Sequence, residues 1–172
     1  MINYIIAKER LSQINKQLIH YGYQFDLDTF DILRSRHDLT DALFYDESYY
    51  NHKNNLLVLA LIREGVCVST ITCNIRDSCI SISSKTRSEH TGNKYNLLLR
   101  SILIMICWSI RYNEQRVSMI KSYAINVASE TMLRKYFDVI AKPDYVFHIV
   151  CDANNTKKAK VIFDAIVKSK CR

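Results

Sequence analysis

The stretch from Asn55 to Ile110, NLLVLALIREGVCVSTITCNIRDSCISISSKTRSEHTGNKYNLLLRSILIMICWSI, decides the fold. It opens on an apolar run at residues 56–63, and Glu64-Gly65 is a turn signal. A segment rich in Val, Ile and Thr follows at 66–76. Asp77-Ser78 marks a second turn before residues 79–84, where Ile80 and Ile82 share one face. The pattern predicts three antiparallel strands joined by tight turns. Residues 85–96 are polar, with Gly92 the only glycine in the second half of the chain. They lead into residues 97–110, apolar nearly all round and broken only by Arg100, Ser101 and Ser109. A membrane span needs about 18 or more apolar residues, so this 14-residue segment reads as a helix buried against a sheet.

Working outward, residues 3–7 read as a short strand. Residues 9–20 read as a helix with Leu11, Ile14, Leu18 and Ile19 at helical spacing, stopped by Gly22. Residues 26–50 are acidic and aromatic, with one short helix expected near 28–36 and loops elsewhere. Downstream, a strand is expected at 117–127 and a helix from 128 to about 137. Strands at 139–141 and 145–151 flank Lys142-Pro143-Asp144. A last helix begins near Thr156, with Ala159, Ile162, Phe163, Ile166 and Val167 on one stripe and Lys157, Lys158, Lys160, Lys168 and Lys170 opposite. The order β-α-α-β-β-β-α-β-α-β-β-α predicts an α/β (mixed α+β) fold, one domain over residues 1–172.

At 172 residues, 48% apolar and 24% charged, the composition excludes a mainly disordered chain, a collagen-like repeat and a disulfide scaffold. Six cysteines form no CxxC pair, and the even step from Cys67 to Cys73 to Cys79 is wider than zinc-ligand spacing. Five scattered histidines add no i,i+4 pair, so the thiols read as small buried apolar groups in a reducing cytosol and no metal is expected. Residues 1–7 are too short for a signal-peptide core, which points to a cytoplasmic protein without a membrane span. Abundant Ile, Asn, Lys and Tyr beside scarce Ala, Gly and Pro point to an AT-rich genome, such as that of a large DNA virus, a protist or certain bacteria. A viral protein would work in the host cytoplasm or the virion.

The net charge of +7 is unevenly spread: residues 1–86 carry −1 and residues 87–172 carry +8, while residues 26–47 alone carry −5. The basic half suits nucleic acid or cofactor phosphates, or is a solvated basic surface. A strand, a polar loop with one Gly and a helix opening on Lys94-Tyr95-Asn96 suit phosphate, because first-turn amides and the helix dipole favour an anion. Lys85, Arg87 and Lys94 add formal charge.

Three antiparallel strands, this loop and helix, then a strand ending in Asn126 before another helix resemble the acyl-CoA N-acyltransferase (GNAT) superfamily over about residues 2–151. The resemblance implies a central, mostly antiparallel sheet of about seven strands flanked by helices. It also implies acetyl-CoA as cofactor, and transfer of the acetyl group to a primary amine such as a polyamine, a lysine side chain or an amino sugar. The cofactor would lie along Ile82 and Ser83 and in the loop Thr91, Gly92, Asn93, Lys94, Tyr95 and Asn96. Asn126, with Ser129 and Leu133, resembles the family's Asn pattern beside the thiol. The family's Gln/Arg-x-x-Gly-x-Gly/Ala positions fall on Thr91, Lys94 and Asn96, so side chains stand where glycines let phosphate approach. The frequent general-acid tyrosine falls on Leu133, which leaves Tyr136, one turn later, as the nearest phenol. Glu64 or Glu89 stands as candidate base beside the plainer reading of both as surface glutamates. Asp38 and Asp41, within the acidic segment, are the candidate contacts for a cationic amine. The alternatives are a GNAT-fold binding or structural protein without catalysis, with a homodimer left open, and a nucleic-acid module using the C-terminal lysines with Arg87, Lys94 and Arg100. The last is disfavoured, because no binding motif or stacking cluster accompanies those charges.

Overall fold

Six apolar residues in a row, 57–62, are buried on both faces of a sheet, which is why no alternation marks them. The computed structural model describes residues 4–39, Leu43, 56–124 and 126–169. Over these the chain forms β1 (Tyr4–Ile6), α1 (Lys8–Ile19), β2 (Tyr23–Thr29), α2 (Phe30–Arg36), β3 (Leu57–Arg63), β4 (Val66–Arg76) and β5 (Cys79–Thr86). It continues with α3 (Tyr95–Ile106), β6 (Ile110–Tyr112), β7 (Gln115–Arg116), β8 (Met119–Tyr123), α4 (Val127–Tyr136), β9 (Val139–Lys142), β10 (Val146–Val150) and α5 (Ala153–Ser169).

Seven strands make the main sheet in the order β2-β3-β4-β5-β8-β10-β9, and β1-β6-β7 make a small second one. The fold is thus the mixed α/β arrangement that was expected, with helices on both faces of the sheet. Alternate residues of β3 divide the core. Leu57, Leu59 and Leu61 join α1, α3 and α5 in one cluster, while Val58, Ala60 and Ile62 meet Phe30 and Leu33 of α2 in another. Glu64 and Gly65, at φ 53° and 80°, supply the two left-handed residues that a tight β3–β4 hairpin needs. No helix among the described residues is long and apolar enough to cross a membrane.

Three expectations need correction. First, residues 23–29 form a full edge strand, β2, paired with β3 along all seven positions, where loop was expected at 26–27 and helix from about 28. Tyr23, Phe25 and Leu27 are buried, and Asp26 and Asp28 fall on the alternate positions. The charges hid a period of two. Second, the N-terminal strand pairs with β6 rather than with the main sheet. Third, the buried helix stops at Ile106. A 3-10 turn and the β6–β7 hairpin follow, with Asn113 and Glu114 left-handed, so β8 is shorter than the expected 117–127.

Asn15 of α1 clamps the edge strand: its amide donates to Phe25 O and its carbonyl oxygen accepts from Phe25 N, both at 2.9 Å. Replacing it strands two backbone groups in a half-buried site. Asn15→Ala is expected to lower unfolding free energy by about 1–3 kcal/mol in urea titration.

Candidate functional site

Strands β5 and β8 make the only parallel pair among the described strands of the main sheet, and the pairing is short. It runs from Cys79 opposite Met119 to Ile82 opposite Ser122 and stops. Beyond that point residues 83–86 stay with β4, down to Thr86 opposite Ser69. On the other side Tyr123 stays with Val146, and Ala124 N donates to Tyr145 O at 3.0 Å. The sheet therefore splits after Ile82 and Ser122. Every second residue of 83–86 turns its backbone N–H and C=O toward the gap.

The helix that connects the two strands starts beside the split. Lys94 precedes it in the left-handed conformation, φ 59° and ψ 22°, and no side chain caps the helix. A left-handed residue followed by helical ones turns successive amides to one side, a geometry that makes an anion-binding hollow. Gly92, at φ 92°, is also left-handed, and a Cβ built on it meets no atom within 4 Å, so the loop is open there. Lys94 is exposed and does not fill that space. Tyr95 is buried, its ring 6.1 Å from the Tyr23 ring and 5.6 Å from that of His90 in the loop.

Arg100, one turn further along α3, is only 8% exposed. Its Nε donates to Asn96 Oδ1 at 2.7 Å, Nη1 to Ser122 Oγ at 2.6 Å and Nη2 to Ser84 Oγ at 3.2 Å. It therefore bridges β5 and β8 where they part. Arg87, expected beside the phosphates, is committed elsewhere. Its Nε donates to Cys67 O at 2.6 Å, and Nη2 donates to Asp38 O at 3.1 Å and Asp38 Oδ2 at 3.4 Å.

Of the sequence candidates, the structure gathers Ile82, Ser83 and the loop from Thr91 to Asn96 around the split and the start of α3. Ile82 is buried and Ser83, on the opposite face of the strand, is half-buried. Asn126 caps α4, its side-chain oxygen accepting from Ser129 N at 2.8 Å. Tyr136 closes the same helix ten residues later, about 15 Å along its axis, so the two are not brought together. Leu133 is 1% exposed and belongs to the core. Glu64 sits exposed in the β3–β4 turn, with β4 between it and β5. The Glu89 carboxyl is held below its usual range, chiefly by its own backbone amide, which makes it a poorer base. Asp41 lies outside the described residues.

Four of the eight cations of the nucleic-acid alternative are buried or paired. Arg100 is buried, Arg87 is tied to Asp38 and Cys67, Lys158 pairs with Asp138, and Lys160 bonds Gln17 and Asp164. No group of three or more His, Cys, Asp or Glu among the described residues is placed to hold a metal.

Sequence reading missed the role of Arg100. Asn96 and Arg100 stand four apart on one helix face, a legible pair. Ser84 and Ser122 lie 38 positions apart, and only folding brings them to the same guanidinium.

No protein-family model matches the chain, and no curated sequence does. Solved structures do resemble it. The toxin–antitoxin complex AtaTR bound with AcCoA includes a chain 13% identical that matches over 83% of this chain and 98% of its own, with a TM-score of 0.53. A cAMP-binding acyltransferase from Mycobacterium smegmatis is 8% identical over 94% of this chain, at a TM-score of 0.51. This chain spans only 60% of that protein's length. The ribosomal-protein-S18-alanine N-acetyltransferase from Escherichia coli is 10% identical over 74% of this chain and 90% of its own, at 0.50. The chain shares its fold with these proteins.

Burial pushes the thiols of Cys67 and Cys73 up to about 12 from an ordinary 9.0, and a hydrogen bond with Cys151 together with burial raises that of Cys107. Neutral thiols of this kind are poor nucleophiles. The unfolded chain loses a Cys73 proton near pH 9 and the folded chain holds it to about 12, so folding stability falls as pH rises through that window. Cys73→Ala is expected to flatten the decline measured by urea titration from pH 9 to 11 by up to about 1.4 kcal/mol per pH unit.

Proposed function

We propose that this protein is an N-acetyltransferase that moves the acetyl group of acetyl-CoA to a primary amine, on a polyamine, a lysine side chain or an amino sugar. The observation that carries the reading is the split of the one parallel strand pair beside the uncapped start of α3. One chain of the same fold is bound with AcCoA. The residues present fit that cofactor. The loop is open at Gly92, Lys94 points outward, and the Asn96 side chain is drawn to Arg100 instead of filling the hollow.

In this reading the backbone of Ile82 and Ser83 offers strand-like pairing at the edge of the split, and the amides from Thr91 to Asn96 face the phosphates. Lys94 contributes a point charge. Acetyl-CoA supplies a thioester as acyl donor. The chain's work is binding and orientation, which provide much of the acceleration when an amine attacks a held acyl group. Asn126 serves by capping α4, whose N-terminus follows β8. This reading assigns no part to Tyr136, at the far end of α4, or to Glu64, in the β3–β4 turn.

Arg87 ties Asp38 to the end of β5, and the negative charge of the acidic segment favours a cationic acceptor. Asp41→Lys is expected to raise KM for spermidine or a lysine peptide severalfold, with KM for acetyl-CoA unchanged. An unchanged amine KM would remove the acidic segment from the acceptor site.

A second reading is favoured by one observation: Leu133, at the family's phenol position, is core. It makes the chain a binding protein that keeps the cofactor and transfers nothing. Thermal unfolding with acetyl-CoA, and ATP as phosphate control, tests the shared step. A ligand at 100 times its Kd stabilises by about 2.7 kcal/mol, a rise in Tm of about 2–4 °C at this size. An equal shift with ATP, or none, overturns the cofactor site. A specific shift without turnover of any amine favours the second reading.

A further inference from the structure

We propose that Arg100 is the positioning residue that sets the geometry of the β5–β8 split, standing in for the backbone bonds that end at Ile82 and Ser122. Its consequence for cofactor binding rests on the acetyl-CoA reading above. Alternation along the strands puts Ile82, Ser84 and Ser122 on the face covered by α3. Ser84 lies one side-chain step, about 7 Å, beyond the last paired residue of β5. Arg100 reaches that step, with one terminal nitrogen on Ser122 Oγ and the other on Ser84 Oγ. Its third side is held by Asn96 Oδ1 at Nε. A planar guanidinium fixed from three directions holds its two terminal nitrogens at a set separation, so the two hydroxyls, and the strands that carry them, are held in register without touching.

Position 100 otherwise calls for an aliphatic side chain. Leu99, Ile102 and Leu103 around it are wholly buried, and a leucine there would avoid the cost of desolvating a charge. The departures from the family's glycine pattern thus acquire a use. Asn96 stands at the Gly/Ala position and orients Arg100. Lysine at 100 carries a single ammonium on a flexible stem and cannot span both serines with a fixed fork.

The test compares wild type, Arg100→Met, Arg100→Lys and Ser122→Ala by amide hydrogen exchange of the ligand-free chain and by calorimetric titration with acetyl-CoA. Arg100→Met is expected to speed exchange at residues 83–86 and 123–124 at least tenfold while β3 exchanges as before, and to weaken acetyl-CoA at least tenfold. Arg100→Lys recovers part of both. A purely structural arginine would instead raise exchange throughout the sheet, β3 included. Ser122→Ala keeps Asn96 and Ser84 on the cation and serves if Arg100→Met does not fold; it should reproduce the local change in exchange. Wild-type exchange at residues 83–86 in the folded variants, with acetyl-CoA bound as tightly as before, overturns the proposal. Failure of wild type to bind acetyl-CoA overturns the functional reading, and the exchange comparison then still decides the role of Arg100.

Discussion

Every residue of α3 except Asn96 is buried, so this helix has no solvent face and must be enclosed on all sides. Strands β3, β4 and β5 cover one side and α5 another. A parallel connection needs a helix across the sheet face, and α3 is that crossover between β5 and β8. Its burial places β8 beside β5 and fixes where the chain leaves β5. The open loop and the uncapped helix start lie at that exit because the helix must begin there. The site is a by-product of packing the most apolar segment in the chain.

That packing carries a polar complement. Ser101 turns its hydroxyl back to Leu97 O at 2.9 Å, which removes a donor from the core. Arg100 is satisfied by Asn96, Ser84 and Ser122. Asn155, 1% exposed at the start of α5, accepts from Asp138 N and donates to Asp138 O and Val150 O, joining the ends of α4, β9 and β10. Asn155 sits where strands and helices end. Such ends leave backbone partners that only a side chain can supply.

Charge is handled differently in the two halves. In the acidic half Asp26 faces Arg36 and His37, Asp28 faces Arg36, and Asp38 faces Arg87. These half-exposed pairs contribute little each to stability, but they orient α2 and hold Asp38 beside Arg87 at the end of β5. In the basic half, Lys158 pairs with Asp138, between α4 and β9, and Lys160 with Asp164 of its own helix.

The β3–β4–β5 meander and α3 were legible because their signals are local. Turn residues at Glu64-Gly65 and Asp77-Ser78, β-branched runs and a helix apolar all round each report on a few neighbours. The loop around Gly92 was legible for the same reason. Strand β2 was hidden because alternation of two acids with three apolar residues reads as an acidic loop until a partner strand shows which face is buried. Local signals alone marked which segments pair as hairpins and which helix is buried. It took the folded chain to decide that β5 and β8 part after Ile82 and Ser122 and that Arg100 stands between them. Those are relations between residues far apart in the chain, and no periodicity within a segment encodes the distance between two segments.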